Sequence, residues 1–299
     1  MKLYYADHFV LPLPPGHRFP MEKYARLRQR LQASPLFGPE DFCEALAASD
    51  TELLRAHDAG YLQRVIQGRL DAQEARRIGF PWSPAMVERS RRSAGATLAA
   101  CRTALVEGCG VNLAGGTHHA FRDHGEGFCV FNDAAVAALN LRASGQVERL
   151  AIIDCDVHQG NGTAAILAQR PDCYTFSIHG ARNYPFEKQQ SDLDVELPDG
   201  TGDDAYLDAL QQALAQVMQA AAPQLLIYLA GADPYAGDRL GRLQLSKAGL
   251  AARDQLVFDT ARQHGLPIAI AMAGGYGRQI DDTVDIHVQT VETAGRMFR

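Results

Sequence analysis

LAIIDCDVHQGNGT, residues 150–163, is the stretch from which the rest of the chain is read. Four apolar residues, Leu150 to Ile153, run into Asp154, Asp156 and His158, which the two-residue period of a strand aims to one side. Gly160-Asn161-Gly162 then makes a turn, and Thr163 is placed to cap a helix over AAILAQ. Carboxylates out of water are costly unless a cation pairs with them, so a buried strand ending in two aspartates and an imidazole points to a metal. An Asp-x-His pair offers one hard oxygen and one borderline nitrogen, which suits zinc or ferrous iron better than calcium or magnesium. Taken alone, the window also fits a structural Asp–His hydrogen bond with Asp154 as a turn residue.

The same pattern recurs outward from this stretch. VNLA (Val111 to Ala114) leads into Gly-Gly-Thr-His118-His119, and YTFSI (Tyr174 to Ile178) into His179. LLIYLA (Leu225 to Ala230) leads into Gly-Ala-Asp233, and IAIAMA (Ile268 to Ala273) into Gly-Gly-Tyr276. Between these runs, helical periodicity predicts helices over Asp133 to Ser144, Thr163 to Gln169, Asp204 to Ala222 and Ser246 to His264. Upstream, a short strand is expected within Met1 to Asp7, and helices over Met21 to Gln32, Asp50 to Gln67 and about Ala85 to Glu107. Continuously apolar strands alternating with helices imply an α/β fold: a single three-layer domain, residues 1–299, whose central, mainly parallel sheet is flanked by helices. Sites in such sheets form beyond the carboxyl ends of the strands, and every polar cluster here falls at that edge.

Composition narrows the function classes. A net charge of -6 and a pI near 5.9 argue against direct nucleic-acid binding and against an anionic membrane surface, both of which call for a basic footprint. The six cysteines contain no Cys-x-x-Cys and several lie in apolar runs, as reduced thiols in a cytosol do. MKLYYADHF carries no signal-peptide apolar stretch, and no run is long enough to span a bilayer, so a cytoplasmic location is expected.

Asp156 and His158 need at least one more protein ligand. Asp233, alone after LLIYLA, is the best candidate, whereas Asp238 beside Gly237 and Arg239 reads as a loop residue. Gly160 and Tyr235 stand two positions beyond His158 and Asp233, where a second ion would need carboxylates, which favours one metal. The adjacent His118-His119 suit general acid–base work, with Asp154 and Asn161 available to orient them; a further pair of metal ligands or a satisfied structural pair are the alternatives. Tyr276, after Gly274-Gly275, can donate to a developing oxyanion, or is a core tyrosine beside a turn. His8, His17, His57, His124, His264 and His287 lack a companion cluster and read as structural or solvated.

With these residues in place the chain resembles the histone deacetylase family of the arginase–deacetylase superfamily. The resemblance runs through His17-Arg18-x-x-Met21, His57-Asp58-x-x-Tyr61-Leu62, Gly-Gly-Thr-His118-His119-Ala120 and Gly127-Phe128-Cys129-x-Phe131-Asn132-Asp133-Ala134. It continues through Asp154-x-Asp156-x-His158-x-Gly160-Asn161-Gly162, Gly231-Ala232-Asp233 and Gly274-Gly275-Tyr276. RIGFPWSP, Gln159, Asn161, Tyr184-Pro185 and GADPYAGDRLG are most similar to the class IV branch and its bacterial relatives. The resemblance implies the arginase–deacetylase fold and a zinc-dependent deacylase, with Fe2+ as an alternative ion, held by Asp156, His158 and Asp233. It implies catalytic roles for His118 (electrostatic), His119 (general base, then acid) and Tyr276 (carbonyl polarisation). It further implies an acyl-lysine tunnel of Gly127, Phe128, Leu240 and Tyr184, with Tyr184 as the second aromatic, and an inner-channel cation in Arg18. A structural K+ is implied at Asp154, Asp156, His158, Ser177 and Ile178. The expected substrate is an acylated lysine side chain or an acylated small amine such as an acetylpolyamine; a non-catalytic interaction module is the rival. Asn161 stands where many class I members carry aspartate, so the partner of His119 is neutral.

Overall fold

The apolar runs form strands because their aliphatic side chains are buried on both faces at once, which only a sheet covered by helices on each side provides. In the computed structural model, which describes residues 1–299, the strands are β1 (Lys2–Tyr5), β2 (Phe42–Glu44), β3 (Cys109–Asn112), β4 (Leu150–Asp154), β5 (Cys173–Gly180), β6 (Leu193–Leu197), β7 (Leu226–Leu229) and β8 (Ile268–Ala271). They form one eight-stranded sheet in the order β2-β1-β3-β8-β7-β4-β5-β6, with every pairing parallel. Alternate residues of β4 enter opposite cores: Ala151 and Ile153 pack under the helices Asp203–Ala221, Lys247–Gln263 and Ile280–Phe298, while Leu150 and Ile152 pack under Pro84–Glu107 and Asp133–Ala143. Three layers result. Gly110 lets the long helix Pro84–Glu107 lie directly on β3, since a Cβ there would meet the Ala100 carbonyl oxygen at 2.2 Å. No helix is long and apolar enough to cross a membrane.

Several local expectations change. The helix expected over Asp50 to Gln67 is two, Asp50–Leu53 and Ala59–Ile66, because His57 between them turns inward. Its Nδ1 bonds to the Phe121 carbonyl at 2.8 Å, Asn132 N–H donates to its Nε2 at 3.0 Å, and Asp58 N–H donates to Arg122 O at 2.8 Å. A loop beside the site thus outcompetes continued helix. β4 ends at Asp154, so Asp156 and His158 do not share a strand's period. Instead Asp154 Oδ1 accepts from Asp156 N–H (3.1 Å) and Asp156 Oδ1 from His158 N–H (3.0 Å), two successive Asx-type turns that curl the chain over the strand end. Thr163 caps nothing: the helix Asn161–Leu167 begins before it, and its buried hydroxyl takes a hydrogen bond from Asn132 Nδ2 at 3.0 Å. The strands β2 and β6 lie at the sheet edges, short and partly exposed, and the period-two pattern is too weak there to read. The helices Ala72–Ile78 and Ile280–Phe298 are additional to those expected.

Candidate active site

The loops after β4 and β7, hydrogen-bonded neighbours, bring Asp156, His158 and Asp233 together with one ligand atom from each within 4.8 Å of the others. His158 Nδ1 lies 2.9 Å from Asp156 Oδ1 and 3.3 Å from Asp233 Oδ2. Val157 N–H donates to Asp233 Oδ1 (2.9 Å) and Gly274 N–H to Asp156 Oδ2 (2.7 Å). The 3.3 Å approach to Asp233 Oδ2 is an ion-pair distance without hydrogen-bond geometry, so that oxygen is buried without a hydrogen-bond partner. Behind both loops the fully buried Arg253 donates to Gly231 O (2.5 Å) and Cys155 O (3.4 Å), tying one ligand segment to the other.

Charge explains why a cation belongs here. Burial, and then the charge of Asp156, push the Asp233 carboxyl up to about 7. Burial opposes the charges of Asp156 and His158 too, yet Asp156 is held well below the usual carboxylate range by His118 and His158, and His158 is lifted to about 10 by Asp156 and Asp233. Two carboxylate oxygens and one imidazole nitrogen that together demand positive charge, one of the oxygens orphaned, fit a divalent metal of the zinc or ferrous type.

The His pair sits on the loop after β3. Gly115 and Gly116 take φ of +86° and +70°, and the buried Asp133 gathers the turn by accepting from Gly116 N–H (2.9 Å), Thr117 N–H (2.7 Å) and Thr117 Oγ1 (2.8 Å). The imidazoles of His118 and His119 lie 4.2 Å apart, centroid to centroid. His118 Nδ1 is 2.6 Å from Asp154 Oδ2; burial works against its charge, but Asp154 and Asp156 raise it to about 9. His119 Nδ1 is 2.7 Å from Asn161 Oδ1, and burial, with the charges of His118 and His158, drives it well below its ordinary value. One histidine is held charged and its neighbour neutral, the separation that acid–base division of labour requires.

A cavity of about 460 Å³ opens over these groups, within the range of small-molecule sites. His118, His119, Asp156, His158, Asp233 and Tyr276 line it, and so do Gly127, Phe128, Tyr184 and Leu240. Phe128 adopts φ of +66°, an unfavourable conformation for a bulky residue, and such strain is retained where a side chain must point into a site. Its ring packs with Phe80 and Phe19, while the Tyr184 ring stands edge-on to His119 at 5.0 Å. Gly127 is required beside it, because a Cβ would lie 2.6 Å from His119 Cδ2. Asp154 and Asn161 stand behind the histidines, and Asp154 faces Ser177 across the β4–β5 register with Ile178 next in the strand.

Arg18, expected in an inner channel, borders the cavity but is exposed; the buried cation lining the same cavity is Lys23, in the first turn of the helix Glu22–Gln32. Lys23 Nζ donates to Gly275 O at 3.3 Å and lies 5.4 Å from the centroid of the Tyr276 ring. Its spacing of four from Leu27 and of eight from Leu31, both buried, was the available signal. Asp238 is likewise no mere loop residue. Buried, it accepts from Leu240 N–H (2.7 Å), Gly241 N–H (3.1 Å) and Tyr276 N–H (2.6 Å), joining a tunnel wall to the tyrosine. Glu126, whose Oε1 accepts from Asn161 Nδ2 at 2.6 Å, carries no signal in the sequence.

Residues 17–291 match the model of a family described as the histone deacetylase domain. The chain is 34% identical to the histone deacetylase-like amidohydrolase of Pseudomonas aeruginosa, over 89% of this chain and 74% of that protein. To histone deacetylase 2 of Arabidopsis thaliana it is 32% identical, over 90% of this chain and 73% of that one. Among solved structures, an HDAC homologue from Aquifex aeolicus superposes with a TM-score of 0.84, covering 98% of this chain and 84% of that one at 23% identity, a likeness of fold.

Proposed function

Since the chain belongs to the histone deacetylase family and is therefore a hydrolase of the deacetylase–amidohydrolase type, we propose that it is a metal-dependent deacylase that hydrolyses the amide of an acylated lysine side chain. Zinc is the favoured ion and ferrous iron the alternative. The observation that carries this reading is Asp233 Oδ2, buried without a hydrogen bond beside Asp156 and His158, in a cavity that His118, His119 and Tyr276 also line. Asn161 and the segment GADPYAGDRLG support a place in the class IV branch.

Asp156, His158 and Asp233 would hold the ion, which would supply Lewis acidity toward the acyl oxygen and acidify water at the site. His119, neutral through burial, is the general base that accepts a proton from the attacking water and then returns it to the leaving amine. His118, kept cationic by Asp154, offsets negative charge as it develops. Tyr276 donates its hydroxyl to the oxyanion, and burial, pushing its phenol well up, keeps that proton in place. The Gly127 carbonyl takes the substrate amide N–H, and Phe128, Tyr184 and Leu240 flank the methylene stem. A structural K+ at Asp154, Asp156, His158, Ser177 and Ile178 is supported by the pairing of Asp154 with Ser177. Five of the six free cysteines are buried, in keeping with a reducing cytoplasmic setting.

The rim discriminates between substrates. Arg18, Arg182 and Arg242 border the cavity, and Asp199 is the carboxylate near two of them, at 3.9 Å from Arg182 and 3.2 Å from Arg242. A cationic polyamine meets repulsion there, whereas a lysine in a neutral or acidic context does not. The test is a panel of acyl-lysine peptides of graded acyl length and acylated polyamines, assayed with zinc and with ferrous iron. Turnover of the peptides above the polyamines is expected; no turnover of any member by metal-loaded protein favours a non-catalytic interaction module.

A further inference from the structure

We propose that Glu126 is a positioning residue for proton transfer: acting through the Asn161 amide, it fixes which ring nitrogen of His119 carries hydrogen. The proposal rests on the deacylase reading above. An amide side chain beside an imidazole is ambiguous, because it can offer either its oxygen or its NH2. Asn161 stands between two groups, with Oδ1 2.7 Å from His119 Nδ1 and Nδ2 2.6 Å from Glu126 Oε1. A carboxylate can only accept, so the amide nitrogen must face Glu126 and the amide oxygen must face His119. That oxygen also only accepts, so His119 Nδ1 is the protonated nitrogen. Nε2 is left with its lone pair, the one arrangement in which it can take a proton. With the amide reversed, hydrogen would sit on Nε2 and the base would be blocked.

Glu126 is well placed to impose this choice. Its side chain is only 13% exposed, and the nearest other cationic candidate, His124 Nε2, is 3.9 Å from its second oxygen. The Tyr184 phenol, pushed up by burial and then by the Glu126 charge, neighbours the same carboxylate, and its ring packs edge-on against His119. The substitution logic is chemical. An aspartate at position 161 would specify the tautomer unaided, since both of its oxygens accept; an asparagine cannot, and a carboxylate one step further out restores the lost direction.

The experiment is a small cycle on the full-length chain. Glu126→Leu removes the acceptor at similar size and is expected to lower kcat roughly 10- to 100-fold, the range of one charge-assisted hydrogen bond, with KM changed by less than about threefold. Glu126→Gln, which can present either end of its amide, should fall between, and it serves if the leucine variant does not fold. Asn161→Asp alone sets two carboxylates against each other and should lose activity. The double variant Glu126→Gln/Asn161→Asp should exceed Asn161→Asp, because the new glutamine donates to the new aspartate. Independently of turnover, 15N spectra of histidine-labelled protein should show His119 protonated at Nδ1 in the wild type and mixed between tautomers in Glu126→Leu. A wild type inactive on every substrate would sink the deacylase reading while leaving the spectra to decide this one. An unchanged His119 pattern in Glu126→Leu, or full activity of Asn161→Asp with Glu126 present, overturns the proposal.

Discussion

Replacing Gly274 with alanine probes the metal-ligand set without touching a ligand. The added Cβ would lie 1.9 Å from Asp233 Oδ2 and 2.5 Å from Asp156 Oδ2. Carbon and oxygen approach to about 3.3 Å without strain, so Asp233 must retreat by roughly 1.4 Å, the difference between those distances. Metal sites tolerate only about 0.2 Å in ligand distance. The Gly274 N–H bond to Asp156 Oδ2, 2.7 Å long, shifts with it. Changes to groups that orient ligands typically cost 10- to 100-fold in metal affinity, and a displacement this large belongs at or beyond the upper end of that range. Competition against a chromogenic chelator measures the zinc affinity, and deacylation at saturating zinc measures the activity that survives. Wild-type affinity in Gly274→Ala would refute the assignment of Asp156 and Asp233 as paired ligands.

Tyr276→Phe keeps the ring and removes one donor, and kcat should fall on the order of 10²–10³ with KM nearly unchanged; wild-type kcat would make Tyr276 a packing residue. Asp238→Ala frees three backbone N–H groups at once, so steady-state kinetics should show KM rising and kcat falling together, in contrast to the kcat-only loss of Tyr276→Phe. Burial holds the His57 imidazole down at about 4 against an ordinary value of 6.5, and Asn132 N–H donates to a nitrogen that must stay unprotonated. The unfolded chain therefore binds the extra proton between those values, and stability is lost as pH falls from about 6.5 toward 4, by roughly 3 kcal/mol in all. Urea titrations across that range should show a shallower pH slope in His57→Gln, and an identical slope would remove His57 as the cause.

The sheet and the ligand set were legible because both leave dense local signals. An apolar run that ends in Asp-x-Asp-x-His or Gly-Gly-Tyr announces a buried strand and a site at its end within a dozen residues. What escaped is long-range. Glu126 sits beside Asn161 across 35 positions of sequence, and Asp238 meets the Tyr276 backbone across 38. Neither distance leaves a periodicity to detect. The exposure of Arg18 and the burial of Lys23 belong with these, because how far a residue near a Pro-rich turn is buried is set by the packing of segments distant in sequence. His57 broke a helix that propensity favoured, since two hydrogen bonds to a neighbouring loop outweigh a turn of helix.

The position of β8 has a consequence for how the chain can be made. Contributed last, it lies between β3 and β7, so the first three strands and the next four have no pairing with each other until it arrives. Until β8 is in place the sheet has two bare inner edges, β3 and β7, and both strands are wholly buried in the finished protein. Unpaired apolar edges invite association with other chains, and contacts between segments this far apart are slow to form. The seam also runs beneath the cavity, with the His118-His119 loop on one side and the Asp156, His158 and Asp233 loops on the other. A chain cut short before Ile268 thus lacks the strand that joins the two halves of the sheet, leaving only helix packing and loop contacts to hold them together, and chaperone demand should end only when the last strand slides home.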